Sequence, residues 1–167
     1  MTEPRIRAAT PCDVPEVALI VADAYRHYIP RMGKPPGPML DDYAAHVAEG
    51  VVWVLESGPA IAGILVLFPQ PDHLLLDNIA VAPGRQGEGI GRRLLAFAEA
   101  EAVRLGYREI HLYTHETMVE NQRLYAAIGY EETGRGTQAG YERVFMRKRL
   151  DPKRAPPMPT HCGGSSA

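Results

Sequence analysis

The chain has 167 residues, 46% of them hydrophobic, and a formal net charge of −2. That length suits one domain with its own core, and so small a charge gives no electrostatic case for nucleic acid or an anionic membrane. No apolar run approaches the roughly 18–20 residues of a membrane helix, the first residues lack the basic start and apolar core of a secretory signal, and Cys12 and Cys162 stand near opposite ends, which disfavours a disulfide framework or a zinc site. Reduced thiols in a cytoplasmic protein are the expectation.

In chain order, Arg5-Ile6-Arg7-Ala8-Ala9 alternates and predicts a first strand. Thr10, Pro11 and Asp13 then read as a capping box with proline at the first helical position. They lead into a helix that carries Val14, Val17, Leu19, Ile20 and Ala24 at helical spacing. Residues 29–39 hold four prolines and two glycines and predict a loop within the domain, since apolar residues flank them. Residues 41–48 predict a short helix closed by Gly50. Residues 51–56 and 60–68 predict a hairpin across Ser57-Gly58-Pro59. Residues 73–82 predict a fourth strand, and 90–105 a helix with Ile90, Leu94, Phe97, Ala98 and Ala102 on one stripe, ended by Gly106. A strand over 109–114 follows. Thr117-Met118-Val119-Glu120 reads as a second capping box before a helix to about residue 128, and 130–134 with 141–149 predict a closing antiparallel pair. Residues 151–167, with four prolines and then Gly-Gly-Ser-Ser, predict a disordered tail after a domain spanning 1–150.

The stretch with the most chemistry is Arg85-Gln86-Gly87-Glu88-Gly89-Ile90-Gly91-Arg92-Arg93, between a buried strand and an amphipathic helix. Glycines there let the backbone turn tightly and let a ligand approach its N–H groups. A helix N-terminus adds unpaired donors and the positive end of a dipole, so the junction is an anion site. A nucleotide-triphosphate loop requires Gly-Lys-Ser/Thr at the helix start, which is absent. A dinucleotide fingerprint requires Gly-x-Gly-x-x-Gly, and the third glycine falls one residue early.

Gln86-x-x-Gly89-x-Gly91 resembles the coenzyme A pyrophosphate loop of the GNAT-type N-acetyltransferases, and the predicted element order over residues 4–150 is similar to theirs. The resemblance implies an α/β fold with a mixed, mostly antiparallel central sheet flanked by helices. It implies an acetyl-CoA-dependent N-acetyltransferase, with acetyl-CoA as cosubstrate and no metal. On the cofactor side it implies backbone groups of Ile79, Ala80 and Val81 against the pantetheine arm. The loop Gln86, Gly87, Glu88, Gly89, Ile90 and Gly91 would lie around the diphosphate, with Arg92 or Arg93 helping to hold a phosphate. In the second family segment, Glu120-Asn121-Gln122-Arg123-Leu124-Tyr125, the resemblance makes Tyr125 the general acid that reprotonates the departing thiolate, an apt role for a phenol of pKa about 10. Asn commonly stands seven residues before that Tyr in the family. Here Asn121 is four before it, which returns to nearly the same helix face.

The amine nucleophile needs a base, and Asp77, Glu116, His115 or water are the candidates. Asp77 is the most unusual placement, a carboxylate within an apolar strand. His111 and His115 on one strand lie about 13 Å apart, too far to chelate one ion. By resemblance, 25–30 and the proline-rich turn with Asp41, Asp42 and Tyr43 cover the acceptor pocket, where acidic groups suit a small cationic amine or a peptide end. A homodimer is compatible with this reading. The rival readings are a non-catalytic acyl-CoA-binding or regulatory module, against which Tyr125 argues, and a nucleotide-binding protein.

Overall fold

The computed structural model describes residues 3–151, so all but the first residue of the expected tail lies outside them. Strands β1 (Arg5–Ala8), β2 (Val52–Ser57), β3 (Ala60–Pro69), β4 (Leu74–Val81), β5 (Glu109–His115), β6 (Glu131–Gln138) and β7 (Tyr141–Arg149) form one sheet in the order β1-β2-β3-β4-β5-β7-β6. The helices are α1 (Val14–Tyr25), α2 (Ile29–Met32), α3 (Tyr43–Ala48), α4 (Ile90–Arg104) and α5 (Val119–Ala127). Alternation of apolar residues buries both faces of the central strands. One face packs Val17, Val21 and Val47 of α1 and α3 against Val54, Ile64 and Val66. The other packs Leu94, Ala98 and Tyr125 of α4 and α5 against Leu65, Leu76 and Leu112.

Every neighbouring pair runs antiparallel except β4 with β5, which are parallel and pair only over Leu74↔Ile110, Leu75↔His111 and Leu76↔Leu112. From Asp77 onward β4 stays with β3, while β5 from Tyr113 stays with β7. The sheet therefore opens into a V. The opening starts at a β-bulge, because Leu67 pairs with Leu76 and Val66 with Asn78, leaving Asp77 as the extra residue. A bulge shifts the two-residue period by one. Leu74 and Leu76 face the α4 side before it; Ile79 and Val81 face that side after it, and Ala80 faces α1.

Helix α4 sits close to the sheet because β3 has a glycine beneath it. A Cβ at Gly63 would stand 2.8 Å from Leu94 Cδ1, 2.9 Å from Ile90 Cγ2 and 3.2 Å from the Ala80 carbonyl. Gly63→Val must push α4 away, and overpacking of this kind costs about 2 kcal/mol. A lower urea midpoint with an unchanged m-value is expected; an unaltered midpoint would show that α4 is not pinned there.

Two local expectations are corrected. Residues 29–32 of the proline-rich segment form the one-turn helix α2, with Pro30 at its start and Gly33 in the left-handed region (φ 73°) as its end. The second capping box is absent. Helix α5 starts at Val119 behind Met118, with no side-chain cap. The Thr117 hydroxyl instead lies 2.9 Å from His115 Nδ1.

Candidate active site

The gap in the sheet exposes backbone groups of β4. Ala82 N–H donates to the Ala62 carbonyl at 2.8 Å. Antiparallel hydrogen bonding alternates along a strand, so Ala80 and Asn78 also bond β3, while Ile79 and Val81 turn their N–H and C=O groups away from it. β5 has already diverged on that side. One cleft along this edge is lined by Ile79, Ala80, Val81, Gln86 and Gly91, with Asn121 and Tyr125 of α5 opposite. An amide-rich ligand is a natural partner for such an unpaired edge.

The glycine loop closes one end of this cleft. Gly84, Gly87 and Gly89 all have φ near +80° (84°, 85° and 79°), which favours glycine. Gly89 precedes the 15-residue helix α4, whose first-turn N–H groups lack intrahelical partners and carry the positive end of the helix dipole. Arg85 holds the loop from behind. Its Nε donates to Glu88 at 2.9 Å and its Nη2 to Ser57 Oγ at 2.8 Å. That ion pair offsets the charge of Glu88, which would otherwise repel a phosphate. Gln86, Gly87, Glu88, Gly89, Arg92 and Arg93 are exposed, whereas Ile90 is buried in the core.

A second cleft opens on the other side of the same gap. Asp77, Tyr113, His115 and Arg143 line it, roofed by Pro36, Gly37 and Pro38. Tyr25, Ile79, Asn121 and Tyr125 line both clefts, so the two meet there. Beneath them runs a buried polar chain. The Tyr25 hydroxyl donates to Asn78 Oδ1 (2.7 Å) and the Ile79 carbonyl (2.9 Å); Asn78 Nδ2 donates to the Tyr43 oxygen (2.9 Å); Tyr43 donates to the Pro38 carbonyl (2.6 Å). Asn78 is only 2% exposed, and a satisfied network at that depth rigidifies what surrounds it. It ties α1, α3 and the proline-rich roof to the bulge in β4.

Tyr125 is 6% exposed and meets the Tyr130 ring edge-on at 5.8 Å. Burial pushes its hydroxyl pKa above the ordinary tyrosine range, with Tyr28 adding to the shift. The Tyr113 hydroxyl donates to Asp77 Oδ1. Burial, then the Asp77 charge, raises its pKa too. His115 is held down by burial. Its Nδ1 accepts from the Thr117 backbone N–H at 3.2 Å, so the proton of the neutral ring is on Nε2. Asp41 is half-buried and its carboxyl is raised by burial and then by Asp77.

The sequence-derived residues separate accordingly. Tyr125, Asn121, Ile79, Ala80, Val81, Gln86 and Gly91 come together around the first cleft, and Asp77 stands across the junction in the second one. Glu116 lies in an exposed turn and lines neither cleft; its backbone N–H donates to the Glu142 carbonyl at 3.1 Å. Asp42 caps α3, accepting from Ala45 N–H at 3.1 Å. Sequence reasoning missed Asn78, Tyr113 and Arg143. Asn78 carried a signal, being an amide inside an apolar strand that requires partners. Tyr113 and Arg143 carried none, because alternate polar residues on β5 and β7 look like solvated positions.

The Acetyltransferase (GNAT) family matches residues 18–130. The chain is 40% identical over 62 residues to the N-alpha-acetyltransferase 80 of Mus musculus, covering 37% of this chain and 18% of that protein. It is 31% identical over 105 residues to the probable N-acetyltransferase Rv2775 of Mycobacterium tuberculosis, covering 54% of this chain and 60% of that protein. The chain thus spans less than two thirds of these relatives. Its fold matches the PaiA N-acetyltransferase of Thermoplasma acidophilum in complex with coenzyme A (TM-score 0.74, 14% identity, 89% of this chain and 100% of that one). It also matches the ribosomal-protein-S18-alanine N-acetyltransferase of Escherichia coli (TM-score 0.71, 20% identity, 88% and 94%).

Proposed function

Because the chain belongs to the Acetyltransferase (GNAT) family, we propose that it moves the acetyl group of acetyl-CoA to a primary amine by direct attack in a ternary complex. The observation that carries this is the V in the sheet. It joins two clefts at Tyr125, one bounded by the glycine loop and the other by Asp77. Two reactants entering from opposite sides would meet beside a buried phenol, and holding them there is itself a large part of catalysis.

Acetyl-CoA supplies a thioester carbonyl and a thiolate leaving group. The chain's own groups do the rest. The out-turned N–H groups of Ile79 and Val81 hold the pantetheine arm and polarise the carbonyl. Gln86, Gly87, Glu88, Gly89, Ile90, Gly91 and Arg92 surround the diphosphate through backbone N–H groups and one guanidinium, and Asn121 faces the arm from α5. Asp77 accepts a proton from the incoming ammonium, directly or through water. The amine nitrogen bonds to the carbonyl carbon, the carbon–sulfur bond breaks, and the Tyr125 hydroxyl protonates the sulfur. The second proton shed by nitrogen restores Tyr125, and Asp77 returns its own to solvent. Glu116, removed from both clefts, is the weaker base. We place the reaction in the cytoplasm, where thiols stay reduced, because Cys12 is exposed and has no disulfide partner among the described residues; no described helix is long and apolar enough to cross a membrane.

The test is thiol release from acetyl-CoA over a panel of amines, with the acetylated product identified by mass, alongside calorimetry of acetyl-CoA binding. Binding with no turnover on any amine would leave a non-catalytic acyl-CoA-binding module. No binding would end both readings. The pH profile is a second check. Because burial raises Tyr125, it stays protonated at neutral and mildly alkaline pH. kcat/KM should therefore rise as the amine loses its proton and show no fall up to about pH 9. A descending limb below that pH which vanishes in Tyr125→Phe would contradict the assigned state of the phenol.

A further inference from the structure

The acceptor-side cleft contains a cation with no ion pair among the described residues. Several arginines of the fold end on carboxylates, among them Arg7 on Asp13 (2.7 Å), Arg85 on Glu88 (2.9 Å) and Arg147 on Glu131 (3.0 Å). Arg143 projects from β7 into the cleft and has neither an ion pair nor a hydrogen bond among the described residues, and its Nε is buried without a partner. Its guanidinium carbon lies 4.2 Å from the centre of the Tyr113 ring and 5.1 Å from that of Tyr141. Two aromatic faces thus fix the fork in place. Its Nη2 reaches to 3.7 Å from where a Cβ on Gly37 would stand, so it spans the cleft from β7 to the roof.

Asp77 accepts from the hydroxyl of the same Tyr113 whose ring Arg143 covers. The cleft therefore presents a carboxylate and a guanidinium that both contact Tyr113 and form no ion pair with each other. A buried Nε–H without an acceptor is costly, and the fork geometry of arginine matches a carboxylate. Plain amines satisfy Asp77 and leave Arg143 unmet. A molecule bearing an ammonium and a carboxylate on neighbouring atoms satisfies both.

The roof of the cleft is also tied down on the side of β7. The Tyr141 hydroxyl donates to the Pro35 carbonyl at 2.6 Å, and Lys34 Nζ donates to the Gly140 carbonyl while lying 4.0 Å over the Tyr141 ring. These bonds bridge the proline-rich roof to the β6–β7 hairpin.

We infer that the acceptor is a small zwitterionic amine of the free amino-acid type, with Arg143 binding its carboxylate and Asp77 receiving its ammonium. This rests on the acetyl-transfer reading above, and the transfer step and its proton balance are the same.

The experiment compares free amino acids, their C-terminal amides, and tetrapeptides with the same N-terminal residues, by kcat/KM at saturating acetyl-CoA. Free acids should exceed their amides by about 20-fold, as expected for one charged hydrogen-bonded contact. In Arg143→Gln that preference should collapse toward one, and Arg143→Lys should recover part of it. Acetyl-CoA titration of each variant serves as the control for folding. The inference is overturned if amides or peptides match or exceed the free acids, if Arg143→Gln lowers acid and amide equally, or if acetyl-CoA binds and no member of the panel is acetylated. If acetyl-CoA fails to bind wild-type protein, it is the acetyl-transfer reading that falls.

Discussion

Tyr125→Phe is expected to lower kcat by about 100-fold, within the range for loss of a positioned general acid, while the acetyl-CoA dissociation constant stays within about twofold. The substitution keeps the ring and its edge-on contact with Tyr130 at 5.8 Å and removes only the hydroxyl. That hydroxyl makes no hydrogen bond among the described residues, yet its residue borders both clefts. Burial makes a phenol a weaker acid. The same surroundings make a departing thiolate a stronger base, since it too has lost its water. A proton donor aimed at that sulfur then matters more than in solution, and acts only as charge develops. The loss should accordingly fall on kcat and on kcat/KM alike. Steady-state and single-turnover rates on the best amine decide it. An unaltered single-turnover rate would reduce Tyr125 to a residue of the core.

The features legible in the sequence were those set by local periodicity and by turn chemistry. Leu94, Ala98 and Ala102 share the stripe that α4 buries, and Gly89 stands at the turn where positive φ is required. The hairpin of β2 and β3 follows from alternation across Gly58, whose φ is 65°. Features set by long-range partners were not legible. A period of two cannot show that Asp77 is one residue too many, because the extra residue is defined only against Val66 and Leu67 on the other strand. Thr117 has the right residue type for a helix cap, but His115 competes for its hydroxyl and the helix starts two residues later. Arg143 reads as a solvated strand residue until β5 brings Tyr113 alongside and the proline-rich roof closes over it. The cofactor side rests on one contiguous loop and could be read. The acceptor side is assembled from β4, β5, β7 and residues 33–40, far apart in sequence, and it was read only as far as its acids.

That contrast predicts where a single backbone change does most harm. Gly89→Val is expected to weaken acetyl-CoA binding by about 100-fold, equivalent to losing one or two charge-assisted hydrogen bonds. A Cβ at Gly89 meets no protein atom within 4 Å, so the fold has room for the side chain. What resists it is the backbone. At φ 79° a β-branched residue is a strong outlier. Relief requires rotating the peptide whose N–H opens helix α4. The added methyl groups also occupy the open space where a diphosphate would approach. Gly89→Ala, with no branching, should lose less, and both variants should keep the thermal midpoint to within a few degrees, since the loop is exposed. Gly91 serves as the comparison: its φ is not positive and its Cβ would touch only Val81 at 3.7 Å. Gly91→Ala should therefore fold normally and affect binding only through the cleft it lines. Calorimetric titration of the folded variants separates these effects. Equal affinity in Gly89→Val and wild type would mean that the diphosphate is held elsewhere, and that the glycines at 87 and 89 serve the turn alone.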